Sequence, residues 1–217
     1  MTARGWLKRN RWGVVALPVV GVLAVGANSY RLQDYWWDRD LRSATVADGA
    51  DFVSYTQDYD DSIGATSRTF QVRVGEIAPT ETIDSEVGDV LGEEPVVVPA
   101  GARALAVRLD FEAEPDQALY GCQLALEDVD GNRYVFDSTQ EGIDQDPFPC
   151  LPFETPGPRV PFFEGQTREV VAGEERPATW STEPVLVVPE DAEISRVLLW
   201  WETPDYLALR VPGQPDA

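Results

Sequence analysis

The sequence contains no histidine, a single lysine at position 8, one methionine and two cysteines. Without histidine the commonest general base is gone, and with it the Ser-His and Cys-His nucleophile pairs and the usual zinc sites. Without a lysine beyond Lys8, Schiff-base and Ser-Lys chemistry are excluded from nearly the whole chain. Basic residues are also scarce: 17 Lys and Arg stand against 38 Asp and Glu, for a net charge of −21. Arg4, Lys8, Arg9 and Arg11 all precede the first acidic residue, Asp34, so the chain after Ala27 holds 13 basic and 38 acidic residues, a net of −25. A surface of that sign repels phosphate backbones, which excludes nucleic acid as a partner. It suits an exported domain kept soluble by its charge. Arginine in place of lysine, with abundant Ala, Val, Asp and Glu, points to a GC-rich bacterial genome or a salt-tolerant host.

Long apolar runs are equally rare, and one stands out. From Trp12 to Tyr30 no charged residue occurs. As a helix this stretch reaches about 28 Å, close to one hydrocarbon core. The basic residues before it place Met1 in the cytoplasm and Ala217 outside. Trp6 and Trp12 on one side and Tyr30, Tyr35, Trp36 and Trp37 on the other match aromatic belts at two interfaces. The expectation is a basic tail at 1–11, a transmembrane signal anchor at 12–30, a juxtamembrane stalk at 31–47, an outer domain at 48–212 and a tail at 213–217. The alternative is a signal peptide cleaved after Ala27, where Val25-Gly26-Ala27 supplies small residues, and secretion of the rest.

Beyond the anchor the apolar period is two. Phe70, Val72 and Val74 alternate with Gln71 and Arg73; Leu105, Val107, Leu109 and Phe111 alternate with Ala106, Arg108, Asp110 and Glu112. Cys122, Leu124 and Leu126 lead to Asp130-Gly131-Asn132 and then Tyr134-Val135-Phe136, a hairpin pattern. Val185–Val188, Ile194–Trp201 and Tyr206–Val211 read as later strands. About eight short strands and no sustained helical period predict an all-β, antiparallel sandwich. Two stretches do not read as strands: the acidic run Ile77–Pro95, expected as an excursion, and the Pro-rich loop Ser138–Arg168, whose Phe148, Phe153, Phe162 and Phe163 argue against disorder.

The Leu124–Phe136 hairpin with its Asp-Gly turn, the Val187-Val188-Pro189 run and the Leu207-Ala208-Leu209-Arg210-Val211 strand resemble the immunoglobulin-like, telokin-like sandwiches of small exported proteins in Gram-positive bacteria. The resemblance covers residues 68–212 and departs at the long Pro-rich insertion. It implies a binding or accessory module at the cell surface.

Candidate site residues follow from chemistry. In an exported domain Cys122 and Cys150, an isolated pair, are expected as a disulfide. Trp180, Trp200, Trp201, Tyr206, Phe148 and Phe153 are the candidate partner contacts, since exposed aromatics suit protein or glycan surfaces. Trp200 and Trp201, adjacent in a strand, must face opposite ways. Asp128 and Asp130 begin like a calcium loop but lack the Gly and Glu spacing of a full one; Asp58, Asp60 and Asp61 form a second acid cluster. No cofactor and no catalytic residue is expected. The function expected is a non-enzymatic module for another envelope or membrane protein, the alternatives being a calcium-dependent adhesion module, or a small-ligand sensor or carboxylate-based hydrolase in a cleft at the Pro-rich loop.

Overall fold

The structure is a computed structural model that describes residues 11–33, 40–87, 90–139, 145–160 and 170–213. Trp36, Trp37, Phe162 and Phe163 lie outside the described residues.

One helix, α1, runs from Arg11 to Gln33 with Pro18 inside it. Leu17, Val19, Val20, Val22, Leu23 and Val25 are all exposed on it, so its apolar side chains project on every side. Among the described residues no helix is long and apolar enough to cross a membrane. The spanning helix expected over 12–30 is corrected accordingly.

Among the described residues twelve strands follow: β1 (Ser43–Asp48), β2 (Val53–Asp61), β3 (Gly64–Pro79), β4 (Thr82–Val87), β5 (Val90–Pro95), β6 (Ala102–Glu112), β7 (Gln123–Asp128), β8 (Arg133–Val135), β9 (Thr179–Thr182), β10 (Val185–Pro189), β11 (Ile194–Trp200) and β12 (Asp205–Arg210). They form two main sheets. One has the order β1-β12-β11-β7-β8; the other has β10-β6-β3-β2, with β9 also pairing β6; β4 and β5 make a separate two-stranded ribbon. The alternation in the sequence is what lets the sheets face each other. Phe70, Val72, Val74, Val107, Leu109 and Phe111 from one sheet meet Leu124, Leu126, Val197, Leu199, Leu207 and Leu209 from the other in a single buried cluster. Each such side chain contributes on the order of 1.5–3 kcal/mol on leaving water. The β-sandwich expected from the sequence is the fold.

Three features differ from expectation. First, residues 43–47 of the expected stalk are part of the sandwich, because β1 pairs in parallel with β12, Ser43 opposite Asp205 through Asp48 opposite Arg210. The amides of Arg42 and Ser43 donate to the Pro204 carbonyl (3.0 and 3.1 Å), which starts that register. The sandwich is therefore not wholly antiparallel. Pairing here covers the edge of β12, which would otherwise present open backbone groups.

Second, the Ile77–Pro95 stretch is not an excursion. β3 continues to Pro79, and β4 and β5 pair antiparallel from Thr82 opposite Pro95 to Val87 opposite Val90. A ribbon needs few apolar residues when its backbone groups satisfy one another. Among its described side chains, Ile83 is buried against Ala104 and Val185 on the outer face of the second sheet.

Third, the outer face of the first sheet is also covered. Ala125, Leu198 and Ala208 are buried there beneath Leu41, Trp200 and Tyr206. The chain leading into β1 thus supplies part of a third layer.

Between β8 and β9 no strand occurs among the described residues, as expected for the Pro-rich loop. The loop is pinned instead of paired.

Candidate functional site

The disulfide forms between Cys122, at the entry to β7, and Cys150, in the Pro-rich loop, with Cα atoms 6.0 Å apart. Both cysteines are buried in the inter-sheet core. Trp180 on β9 lies against the same segment: its indole Nε1 donates to the Cys150 carbonyl at 2.9 Å, and its ring stacks on Phe111 at 5.3 Å. Thr182 Oγ1 donates to the Pro149 carbonyl at 2.8 Å. Gln145 closes the near end in the manner of a strand, its Nε2 donating to the Val185 carbonyl and its Oε1 accepting from the Val185 amide, both at 2.9 Å.

A buried arginine holds the far end. Arg176 donates from Nη1 to the Pro156 carbonyl (3.3 Å) and from Nη2 to the Glu114 carbonyl (2.9 Å), with its guanidinium 4.6 Å from the Trp180 ring centroid. Burial lowers its pKa to about 10, with Asp116 opposing the shift, so it remains charged at neutral pH. Gly157 permits this approach. Its φ of +84° suits glycine, and a Cβ there would stand 3.0 Å from the Arg176 Cβ.

So pinned, the loop forms one wall of a cleft of about 400 Å³. The floor and opposite wall come from Thr80, Thr82 and Ile83, from Ala106 on β6, and from Ser181 to Val185 at the junction of β9 and β10. The loop contributes Gln145, Asp146, Phe148, Pro149, Leu151, Pro152 and Phe153. That size sits at the low end of small-molecule sites.

The polar groups of this cleft divide sharply. Its amide and its hydroxyls, that of Thr82 excepted, are occupied within the fold. Ser181 Oγ donates to Asp110 Oδ1 (2.7 Å), Thr80 Oγ1 to the Thr82 carbonyl (2.6 Å), Thr182 to Pro149, and the Gln145 amide to Val185. The carboxylates of Asp146 and Glu183 have no ion pair among the described residues. Asp146 Oδ1 accepts only the Phe148 amide, at 2.8 Å. Burial pushes the Asp146 carboxyl above its ordinary range, and that amide offsets part of the rise. Asp110, beneath the cleft, goes the other way: burial raises it, but hydrogen bonds from Ser181, Arg73 and Arg108 outweigh this and hold it low.

The six aromatics expected as partner contacts separate. Phe148 and Phe153 come together at the cleft; Phe148 is 37% exposed and packs edge-on against Tyr120 at 5.0 Å, while Phe153 is 61% exposed. Trp180 is only 8% exposed, and its placement among contact residues is corrected: it braces the loop from beneath. Trp200 and Trp201 do face opposite ways. Trp201 turns to the core, its Nε1 donating to the Leu119 carbonyl at 2.8 Å and its ring 4.8 Å from Phe70. Trp200 and Tyr206 lie on the outer face of the other sheet, away from the cleft.

Of the calcium candidates Asp128 and Asp130, Asp128 is engaged in the turn itself. Asp128 Oδ1 accepts the amides of Asp130 (3.0 Å) and Asn132 (2.8 Å); its Oδ2 accepts Asn132 Nδ2 (2.9 Å) and Tyr134 Oη (2.7 Å). Four donors fill the carboxylate and hold its pKa below the ordinary value, the Asn132 and Tyr134 side chains most of all. The β7–β8 turn is what Asp128 builds, with Gly131 at φ +83°. Among the described residues no group of three metal-ligating side chains occurs. Asp61 similarly accepts the amides of Ile63 and Gly64 in the β2–β3 turn.

Sequence reasoning missed Asp146, Glu183 and Gln145. Nothing in DQDPFPC separates Asp146 from the other acids of the chain, because its role depends on what the disulfide and Trp180 bring against it.

No family model matches the chain, and no curated protein matches it. Among solved structures it is similar to an uncharacterized beta-sandwich protein from Clostridium difficile 630, at 12% identity and a TM-score of 0.35, over 79% of this chain and 96% of that one.

Proposed function

We propose that this chain is an exported β-sandwich of the cell envelope that works as a non-enzymatic binding module, taking its ligand in the cleft beneath the Pro-rich loop. The observation that carries the reading is the contrast within that cleft. Its wall is fixed by a disulfide, two indole or hydroxyl hydrogen bonds and the Gln145 clasp, yet Phe153 is left exposed and two carboxylates unpaired among the described residues. A preformed concave site with a few free polar groups is the usual form of a binding site. Export is supported by the basic residues before α1, the exposed apolar side chains of α1 and the disulfide. A helix apolar all round finds its place in lipid, in a partner or in a signal segment that is removed. The likeness to immunoglobulin-like, telokin-like surface modules belongs with this reading, as does an envelope or membrane protein as partner.

Two measurements test it. N-terminal sequencing of membrane and culture fractions reads the export: a chain retained with the membrane, or one beginning at Asn28 in the medium, agrees with it, and a cytosolic chain refutes it. Hydrogen exchange of the full chain with and without detergent-solubilised envelope extract reads the site. Protection confined to residues 145–153 and 179–189 is expected; protection elsewhere, or none, sinks the cleft.

A second reading draws on the same acids. A carboxyl with a raised pKa in the same cleft as a second carboxylate is in keeping with the general-acid pattern of glycoside hydrolysis. Turnover of aryl glycosides that vanished in Asp146→Asn would favour it over simple binding.

A further inference from the structure

We infer that the cleft selects an organic cation, a primary ammonium or guanidinium carried on a short aliphatic body, bound between Asp146 and Glu183 with its carbon chain against Phe148 and Phe153. The inference rests on the binding reading above and adds the class of ligand.

Three observations lead to it, each independent of the others. The first is the donor and acceptor inventory. A sugar or other polyol needs donors as well as acceptors from its site, because each hydroxyl both gives and takes a proton. Here the protons of Ser181, Thr80 and Thr182 go to Asp110, Thr82 and Pro149, and the Gln145 amide goes to Val185. Among the described lining residues, Thr82 is the one hydroxyl with no such commitment, and no Lys or Arg lines the cleft. What remains is two carboxylates, which when ionised only accept.

The second is the fate of arginine. Among the described residues the guanidiniums of this region are engaged elsewhere: Arg73 and Arg108 on Asp110, Arg159 on Glu174, Arg176 on backbone carbonyls. Elsewhere in the sandwich the buried acids are satisfied from within the fold: Glu127 takes both Arg133 and Arg196, and Asp128 takes four hydrogen-bond donors. A partly enclosed carboxylate left without such a partner is one that a ligand's charge can complete.

The third is the remaining wall. Phe148, Phe153, Pro149, Pro152 and Ile83 give apolar and aromatic surface beside the acids. Aromatic faces attract cations and pack methylene stems, so the same groove suits both ends of a lysine-like or arginine-like structure.

The test is titration calorimetry on the full chain in mild detergent with three probes: 1,5-diaminopentane, Gly-Lys-Gly, and Gly-norleucine-Gly as the uncharged isostere. The lysine peptide or the diamine is expected to bind at least tenfold more tightly than the norleucine peptide. Asp146→Asn combined with Glu183→Gln is expected to abolish that margin while the melting temperature is maintained. Tighter binding of the peptide identifies a side chain of a larger partner as the source, and tighter binding of the diamine identifies a free amine. Equal affinity for the norleucine peptide, a margin that survives in the double variant, or no binding of either cation at millimolar concentration overturns the inference. Should the double variant melt early, the single Glu183→Gln change, at an exposed position, must still reduce the margin. Failure here leaves the binding reading to stand or fall on the exchange footprint with envelope extract, so the two are judged apart.

Discussion

Two acidic segments of this protein sit at opposite sheets and show opposite states of the same side chain. In the β7–β8 turn, Asp128 accepts four hydrogen bonds and its pKa is held low by Asn132 and Tyr134. In the Pro-rich loop, Asp146 accepts one amide and its pKa is pushed up by burial. A carboxylate saturated by its own chain is a structural part. An enclosed carboxylate with a single internal donor keeps the capacity to accept another. In a chain with 38 acidic residues, that distinction separates function from solubility far better than clustering does.

Substitutions can break the contrast from either side. The largest effect is expected from Trp180→Ala, which removes the stack on Phe111 and the hydrogen bond to Cys150: about 3–5 kcal/mol of stability by urea unfolding, with cleft binding lost alongside. Replacing both Cys122 and Cys150 by Ser should cost about 3.5 kcal/mol in the chain-entropy model for a ring of this size. Hydrogen exchange should then rise in residues 145–160 and stay unchanged in the Asp128 turn. Equal loosening of both segments would mean that the loop is not an independently pinned unit.

Asp128→Asn sharpens the comparison through pH. A carboxyl whose folded pKa lies below its unfolded value contributes stability that is present above the unfolded pKa and lost as pH falls through the folded one. Wild-type melting temperature should therefore fall on acidification across that range, and the Asn variant should be less stable at neutral pH with a flatter profile. Asp146 has the reverse sign. Its raised pKa means that the folded state binds the proton more tightly, so its contribution declines as pH rises from the unfolded to the folded pKa. Asp146→Asn should leave the neutral-pH melting temperature unchanged or raised. The smallest effect on stability is expected from Phe153→Ala, within about 0.5 kcal/mol for an exposed residue.

Much of the sandwich was legible in advance because alternation is a local signal. Phe70–Val74, Leu105–Phe111 and Leu124–Leu126 carry their inward face in their own order, and all of these faces meet in one core. The Cys122–Cys150 bridge followed from an isolated pair of cysteines in a chain expected to be exported. Where sequence reasoning failed, the cause was non-local. β1 exists because β12 offers an edge and Pro204 a carbonyl, neither of which is visible in SATVAD. The β4–β5 ribbon is held by backbone pairing and by Ile83, so its acidic composition said nothing against it. Trp180 and Phe153 looked equivalent as aromatics; the loop that buries one and displays the other is fixed by contacts distant in sequence. Asp128 carries the oxygen spacing of a partial calcium loop in the sequence; how it braces the turn depends on Tyr134 folding back from β8.

The most direct measurement is photo-cross-linking on whole envelopes, with Phe153 replaced by a photoreactive phenylalanine analogue and Val135, equally exposed on β8 of the other sheet, replaced in a control. Binding in the cleft predicts a discrete adduct from position 153 that is suppressed by excess Gly-Lys-Gly and absent from position 135. Adducts of equal yield from both positions, or none from 153 where 135 gives one, would contradict it.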